Sequence, residues 1–119
     1  MIVKDIKLAV VGSRNFVNYR LVKETLLQNV DINRIKYLIS GGAVGADSLA
    51  QQFAKEHGLP ILIFYPDWNI GKHAGFLRNE RIIKASNLVY AFQVDMSKGT
   101  QHSINLAKQF NREVHVINI

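Results

Sequence analysis

No cysteine occurs among the 119 residues, which excludes disulfides, thiolate metal sites and cysteine nucleophiles and is compatible with a reducing compartment. No apolar run approaches the roughly 18 residues that a membrane span requires. The opening segment, "MIVKDIKLAVVG", interrupts its apolar stretch with charges and has no small-residue cleavage pattern. A soluble, untargeted, cytoplasmic protein without a membrane partner is therefore expected. Repeats, low-complexity tracts and Pro/Ser-rich linkers are absent, so nothing divides the chain. The four histidines, His57, His73, His102 and His115, show neither HExxH nor another close metal spacing, and no GxSxG elbow is present. The histidines read as surface or core residues, and neither metal nor cofactor is expected.

What is present is an apolar fraction of 48%, enough for one sizeable core and hence one domain over 1–119. The net charge of +6 and pI near 9.8 are compatible with an anionic partner. The charge is spread evenly, however, with seven Lys/Arg against four Asp/Glu in residues 1–50 and eight against five in the remainder. A solvated surface explains such scatter as well as a polyanion groove does. Any phosphate site must therefore be argued locally.

Strand-like apolar runs alternate with helix-length amphipathic segments. The runs are "IKLAVV" (6–11), "IKYLIS" (35–40), "PILIFY" (60–65), "NLVYAF" (87–92) and "EVHVIN" (113–118). Helical spacing marks 18–29, 45–57, 73–85 and 99–110. In the second of these Ala46, Leu49, Ala50, Phe53 and His57 form an i, i+3, i+4 stripe, and Gly58 followed by Pro60 ends it. Most of the runs are too uniformly apolar for a sheet with a wet face. The expected fold is α/β: a Rossmann-like three-layer sandwich with a five-stranded parallel sheet of order 3-2-1-4-5 and helices on both faces. Winding reverses between the first and fourth strands, and ligands bind beside such a switch point at the carboxyl ends of the strands.

The loops at those ends carry unusual residues. After the first strand, Gly12 allows a tight turn, Ser13 and Asn15 offer hydroxyl and amide groups, and Arg14 supplies a bidentate donor. An ordinary strand-to-helix connection is the alternative. After the second strand, "SGGAVGAD" spans Ser40, Gly41, Gly42, Gly45 and Asp47. Bare backbone suits N–H groups that must approach an anion at a helix start, and Gly41 and Gly42 are the expected positive-φ turn positions. Asp47 suits a ribose hydroxyl, or merely favours the positive end of the helix dipole. The spacing is neither GxGxxG nor the P-loop.

After the third strand come Pro66, Asp67 and Trp68, then a helix expected to begin near Lys72 or His73. Gly75, Asn79, Ile82, Ile83 and Ser86 share its inward stripe, with Arg78 at the margin. A polar Asn79 facing inward needs a partner. Trp68 stacks on a base in one reading and covers the core in the other. After the fourth strand, Ser97, Lys98, Gly99 and Thr100 put small residues and donors at another helix start. Thr100, Ser103, Ile104 and Ala107 face inward behind them.

Four segments in order, "GSRNF", "SGGAVGADSLA", "PDWNIGKHAGFLRNERII" and "SKGTQHSINLA", resemble the YspA-like branch of the SLOG superfamily. The resemblance spans nearly the whole chain. It implies a Rossmann-like fold whose glycine turn and RN-containing helix form a site for nucleotides, nucleotide-derived signals or nucleic acid. Related DprA-like domains bind single-stranded DNA. Related Lonely guy phosphoribohydrolases cleave base from ribose phosphate with an arginine, matched here by Arg78, and a GTxxE glutamate, where this chain has Gly99 and Thr100 but Ser103. A serine cannot supply the carboxylate that an oxocarbenium-like state needs.

The expected function is thus binding of a nucleotide-derived ligand, such as an ADP-ribose-like or cyclic nucleotide signal. The alternatives are N-glycoside hydrolysis through another carboxylate such as Asp47, and single-stranded nucleic-acid binding. The resemblance also makes a homo-oligomer plausible.

Overall fold

The computed structural model describes residues 2–119. Five strands, β1 (Ile6–Gly12), β2 (Ile35–Ser40), β3 (Ile61–Ile63), β4 (Leu88–Gln93) and β5 (Glu113–Asn118), form one parallel sheet of order β3-β2-β1-β4-β5. The expected fold class and strand order are therefore present. Four helices, α1 (Tyr19–Asn29), α2 (Ala46–Glu56), α3 (Ala74–Ala85) and α4 (Lys98–Gln109), make the crossovers.

Alternation along β1 explains the two covered faces. Leu8 and Val10 point into one core with Val22 and Leu26 of α1 and Ala50 and Phe53 of α2. Ala9 and Val11 point into the other, with Ile82 and Ile83 of α3 and Ile104 and Ala107 of α4. Fully burying each large side chain contributes about 1.5–3 kcal/mol, so the two cores supply the main driving force for folding. They hold the carboxyl ends of β1 and β4 side by side.

Local signals set the helix ends. Asn18 caps α1 by accepting from the Leu21 N–H at 3.1 Å. Gly58, at φ +64°, closes α2 with paired bonds, from Leu59 N–H to the Ala54 carbonyl at 2.8 Å and from Gly58 N–H to the Lys55 carbonyl at 3.4 Å.

Two expectations need correction. The third strand is only Ile61–Ile63 rather than 60–65, because it is an edge strand paired on one side and the chain leaves it towards Pro66. The third helix begins at Ala74, since Trp68–Ile70 first forms a single 3₁₀ turn, capped by Asp67 through the Asn69 N–H at 3.1 Å.

Candidate functional site

The loops after β1, β2 and β4 meet at the switch point around a cleft of about 570 Å³. Ser13 ties the first to the third. Its N–H donates to the Phe92 carbonyl at 3.1 Å, and its Oγ accepts from the Val94 N–H at 2.9 Å. The single hydroxyl proton is placed for either the Val94 carbonyl at 3.2 Å or Ser97 Oγ at 3.1 Å. Ser97 Oγ in turn lies 2.6 Å from Thr100 Oγ1. These bonds hold a turn in which two consecutive non-glycine residues, Asp95 (φ +52°) and Met96 (φ +50°), adopt the left-handed region. Such conformations cost roughly 1–2 kcal/mol per residue. The strained turn brings Ser97, Gly99 and Thr100 to the cleft wall, where the first N–H groups of α4 have no partner within the helix.

The glycine turn after β2 is built differently from the expectation. Gly42 (φ +71°) and Gly45 (φ +73°) take positive φ, whereas Gly41 does not. Gly41 instead allows a close approach of side-chain ends: a Cβ there would lie 2.6 Å from Arg78 Nη1 and 2.9 Å from Asp47 Oδ2, and both would have to shift. Several N–H groups of the turn are already used, Gly42 by Ser40 Oγ at 3.4 Å, Ala43 by Asp47 Oδ2 at 3.1 Å and Ala46 by the Ser13 carbonyl at 3.4 Å. Gly45 itself rests on the Ser13 and Arg14 carbonyls, with no room for a Cβ. The turn is thus a close-packed pedestal that locks the β1 and β2 loops together.

Arg78 reaches across this pedestal from α3. Its Nη1 donates to the Gly41 carbonyl at 2.5 Å and its Nε to Asn79 Oδ1 at 2.9 Å. Burial lowers its pKa, opposed by the Asp47 charge, yet an arginine stays protonated. Burial likewise raises the pKa of Asp47, opposed by the Ala43 N–H bond and by Arg78. For both groups desolvation outweighs attraction, which fits a pair that makes no direct ion-pair contact.

Asn79 finds its partner in His102, Nδ2 to Nδ1 at 3.3 Å. Because Arg78 Nε can only donate, Asn79 must face it with its oxygen and turn its amide nitrogen to His102. That makes His102 Nδ1 an acceptor and fixes the ring as the neutral Nε2–H tautomer. Burial lowers the His102 pKa, opposed by Glu80, in agreement with a neutral ring. Phe76 packs on it with ring centroids 4.4 Å apart.

Most sequence-predicted site residues come together. Gly12, Ser13, Arg14 and Asn15 line the cleft, as do Asp47, Trp68, Lys72, Arg78 and Asn79, and Ser97, Gly99 and Thr100 complete it. Ser103 also lies on its wall, only 2% exposed. Gly41 and Gly42 instead border an adjoining recess of about 420 Å³. Ser40, Gly45, Asp67 and Lys98 line neither: Ser40 is buried beneath the turn, and Asp67 serves its 3₁₀ cap. Asp95, a loop carboxylate that could converge with Asp47, does line the cleft with it; Phe76 and Ala43 line it without having been expected, and His102 backs it. Exposed aromatics such as Phe76 carry no periodic signal. Among the described residues Arg14 and Lys72 make no ion pair, so two free cations face a cleft that also holds Asp47 and Asp95.

A five-stranded parallel sheet of order 3-2-1-4-5, with a polar, cation-bearing cleft at its switch point, defines the chain as a Rossmann-like α/β domain. More narrowly, it belongs to the YspA, cpYpsA-related SLOG family (YAcAr), whose model matches residues 6–71. No curated protein sequence matches the chain. Among solved structures it is similar to DNA processing protein A (DprA) from Streptococcus pneumoniae, with a TM-score of 0.77 at 20% identity over 95% of this chain and 50% of that one. It is also similar to DprA from Helicobacter pylori, described for its single-stranded DNA binding mode, with a TM-score of 0.70 at 24% identity over 93% of this chain and 64% of that one. At these identities the likeness is one of fold. The chain spans about half of the first protein's length and under two thirds of the second's. No helix among the described residues is long and apolar enough to cross a membrane.

Proposed function

We propose that the cleft binds a nucleotide-derived ligand, with its phosphate at the Ser97–Thr100 turn. The observation that carries this reading is the convergence, in one cleft of about 570 Å³, of the unpartnered α4 start with Arg14 and Lys72, neither of which is ion-paired among the described residues. A helix N-terminus and two free cations favour an anion, and the volume falls in the range of about 300–1,000 Å³ usual for small-ligand sites. Trp68 and Phe76 offer apolar faces for a base, being 58% and 47% exposed. ADP-ribose-like and cyclic nucleotide signals fit this chemistry. Calorimetry against ADP-ribose, cyclic nucleotides and NAD tests it. Saturable binding weakened by Arg14→Ala is expected, and uniform absence of binding refutes the reading.

A second reading, single-stranded nucleic-acid binding, is supported by the fold shared with the DprA structures and by the recess adjoining the cleft. It predicts affinity for an oligonucleotide that falls steeply with salt, with a slope reduced by Arg14→Ala or Lys72→Ala. Binding that is insensitive to salt and to both substitutions rejects it.

A further inference from the structure

The cleft and the recess beside it are not separate features. They share Arg14, Ala43, Trp68 and Arg78, so two lobes of about 570 and 420 Å³ meet along a seam that carries two guanidinium groups. Arg78 commits Nε and Nη1 to Asn79 and Gly41, which fixes its head at that seam, and Arg14 makes no ion pair among the described residues. Each lobe has its own aromatic wall. Phe76 lines only the larger lobe and Tyr65 only the smaller, while Trp68 borders both.

Tyr65 is the less expected of these. Its Cδ1/Cε1 edge lies against Gly42, where a Cβ would overlap it, so glycine at this position leaves the ring its place on the recess wall. The ring is nevertheless 64% exposed, and Val44 beside it is 66% exposed. A positioned aromatic surface and an exposed aliphatic one, next to a cationic seam, match a planar heterocycle attached to a phosphate.

We propose that the site is two-lobed and takes a ligand with two nucleobase-bearing units joined through phosphate. The linking phosphate lies at the Arg14–Arg78 seam, and the second base lies against Tyr65 in the smaller lobe. This rests on the nucleotide reading of the larger lobe. Two sources share the chemistry: a free dinucleotide joined through pyrophosphate, and consecutive nucleotides of a single strand.

The test measures Trp68 fluorescence, the chain's only tryptophan, as the full chain is titrated with AMP, with diadenosine diphosphate and with the dinucleotide pdApdA. At least one two-base probe is expected to bind about tenfold or more tighter than AMP, the gain typical of one additional stacked base. Tyr65→Ala and, independently, Val44→Glu should bring the ratio of two-base to AMP affinity close to one, while Tyr65→Phe retains it. A gain for diadenosine diphosphate alone supports a free dinucleotide, and a gain for pdApdA alone supports a strand. AMP binding with no gain for either probe overturns the two-lobed site and leaves the nucleotide reading standing. A gain that survives both Tyr65→Ala and Val44→Glu also overturns it. Binding of none of the three overturns both.

Discussion

Gly41→Ala isolates the contact on which the pedestal depends. Gly41 is not at positive φ, so alanine imposes no backbone strain of that kind, and the effect must come from space. The added Cβ would lie 2.6 Å from Arg78 Nη1, where ordinary contact begins at about 3.4 Å. The guanidinium must then withdraw by about 0.8 Å, and the Nη1 bond to the Gly41 carbonyl, now 2.5 Å, stretches to at most about 3.3 Å, weakened rather than broken. A bond to a charged group contributes about 1.5–3 kcal/mol, and stretching it forfeits part of that while the flexible guanidinium yields, so about 1 kcal/mol is expected. For a domain of this size that is a fall in Tm of about 3–6 °C. The assay is a double-mutant cycle read by thermal melting and by ligand affinity. In an Arg78→Ala background Gly41→Ala should cost less than it does in the parent protein, because the nearer of the two groups it displaces is gone and only the 2.9 Å approach to Asp47 Oδ2 remains. Full additivity of the two substitutions refutes the reasoning, as does a Gly41→Ala protein with unchanged stability.

Other perturbations separate the remaining contacts. Gly45→Ala combines a left-handed φ of +73° with overlap on the Ser13 and Arg14 carbonyls; a loss of about 3 kcal/mol or more is expected in urea unfolding. Ser13→Ala removes the acceptor of the Val94 N–H and should cost about 1–3 kcal/mol by the same measurement, releasing the strained turn at Asp95 and Met96. His102 has its folded pKa lowered from 6.5, so its unfolded form binds the proton more readily. Its contribution is present above 6.5 and is lost as pH falls through that value towards the lower folded pKa. Melting between pH 5 and 8 should show this slope, and His102→Gln, which keeps an acceptor for Asn79, should flatten it.

The sheet was legible because its strands are long apolar runs and its helices carry clear stripes, and because residues such as Gly58 and Asn18 mark helix ends through short-range chemistry. The loops after β1, β2 and β4 were legible from the switch-point rule, which brought Arg14, Asp47 and Thr100 to one cleft, and Trp68 and Arg78 join them from the segment after β3. The inner wiring was not. Ser13 and Val94 are separated by 81 residues, and Asn79 and His102 by 23, so neither bond leaves a local pattern. The glycines of the β2 loop predicted bare backbone correctly, but the partners of its N–H groups are set by Ser40, Asp47 and Ser13 folding over it. The larger share of the proposed anion site therefore moves to the α4 turn. Tyr65 and Phe76 escaped because a half-exposed aromatic has no sequence period.

The central claim, that the switch-point cleft holds a nucleotide phosphate at the start of α4, is tested most directly by following backbone amide resonances during titration with ADP-ribose. Saturable shifts are expected, concentrated at Arg14, Asn15 and Ser97–Thr100, with smaller ones at Ser13, Gly42, Ala43 and Ala46, whose N–H groups are already bonded. Saturable shifts centred elsewhere, or no shifts across nucleotide ligands, contradict it.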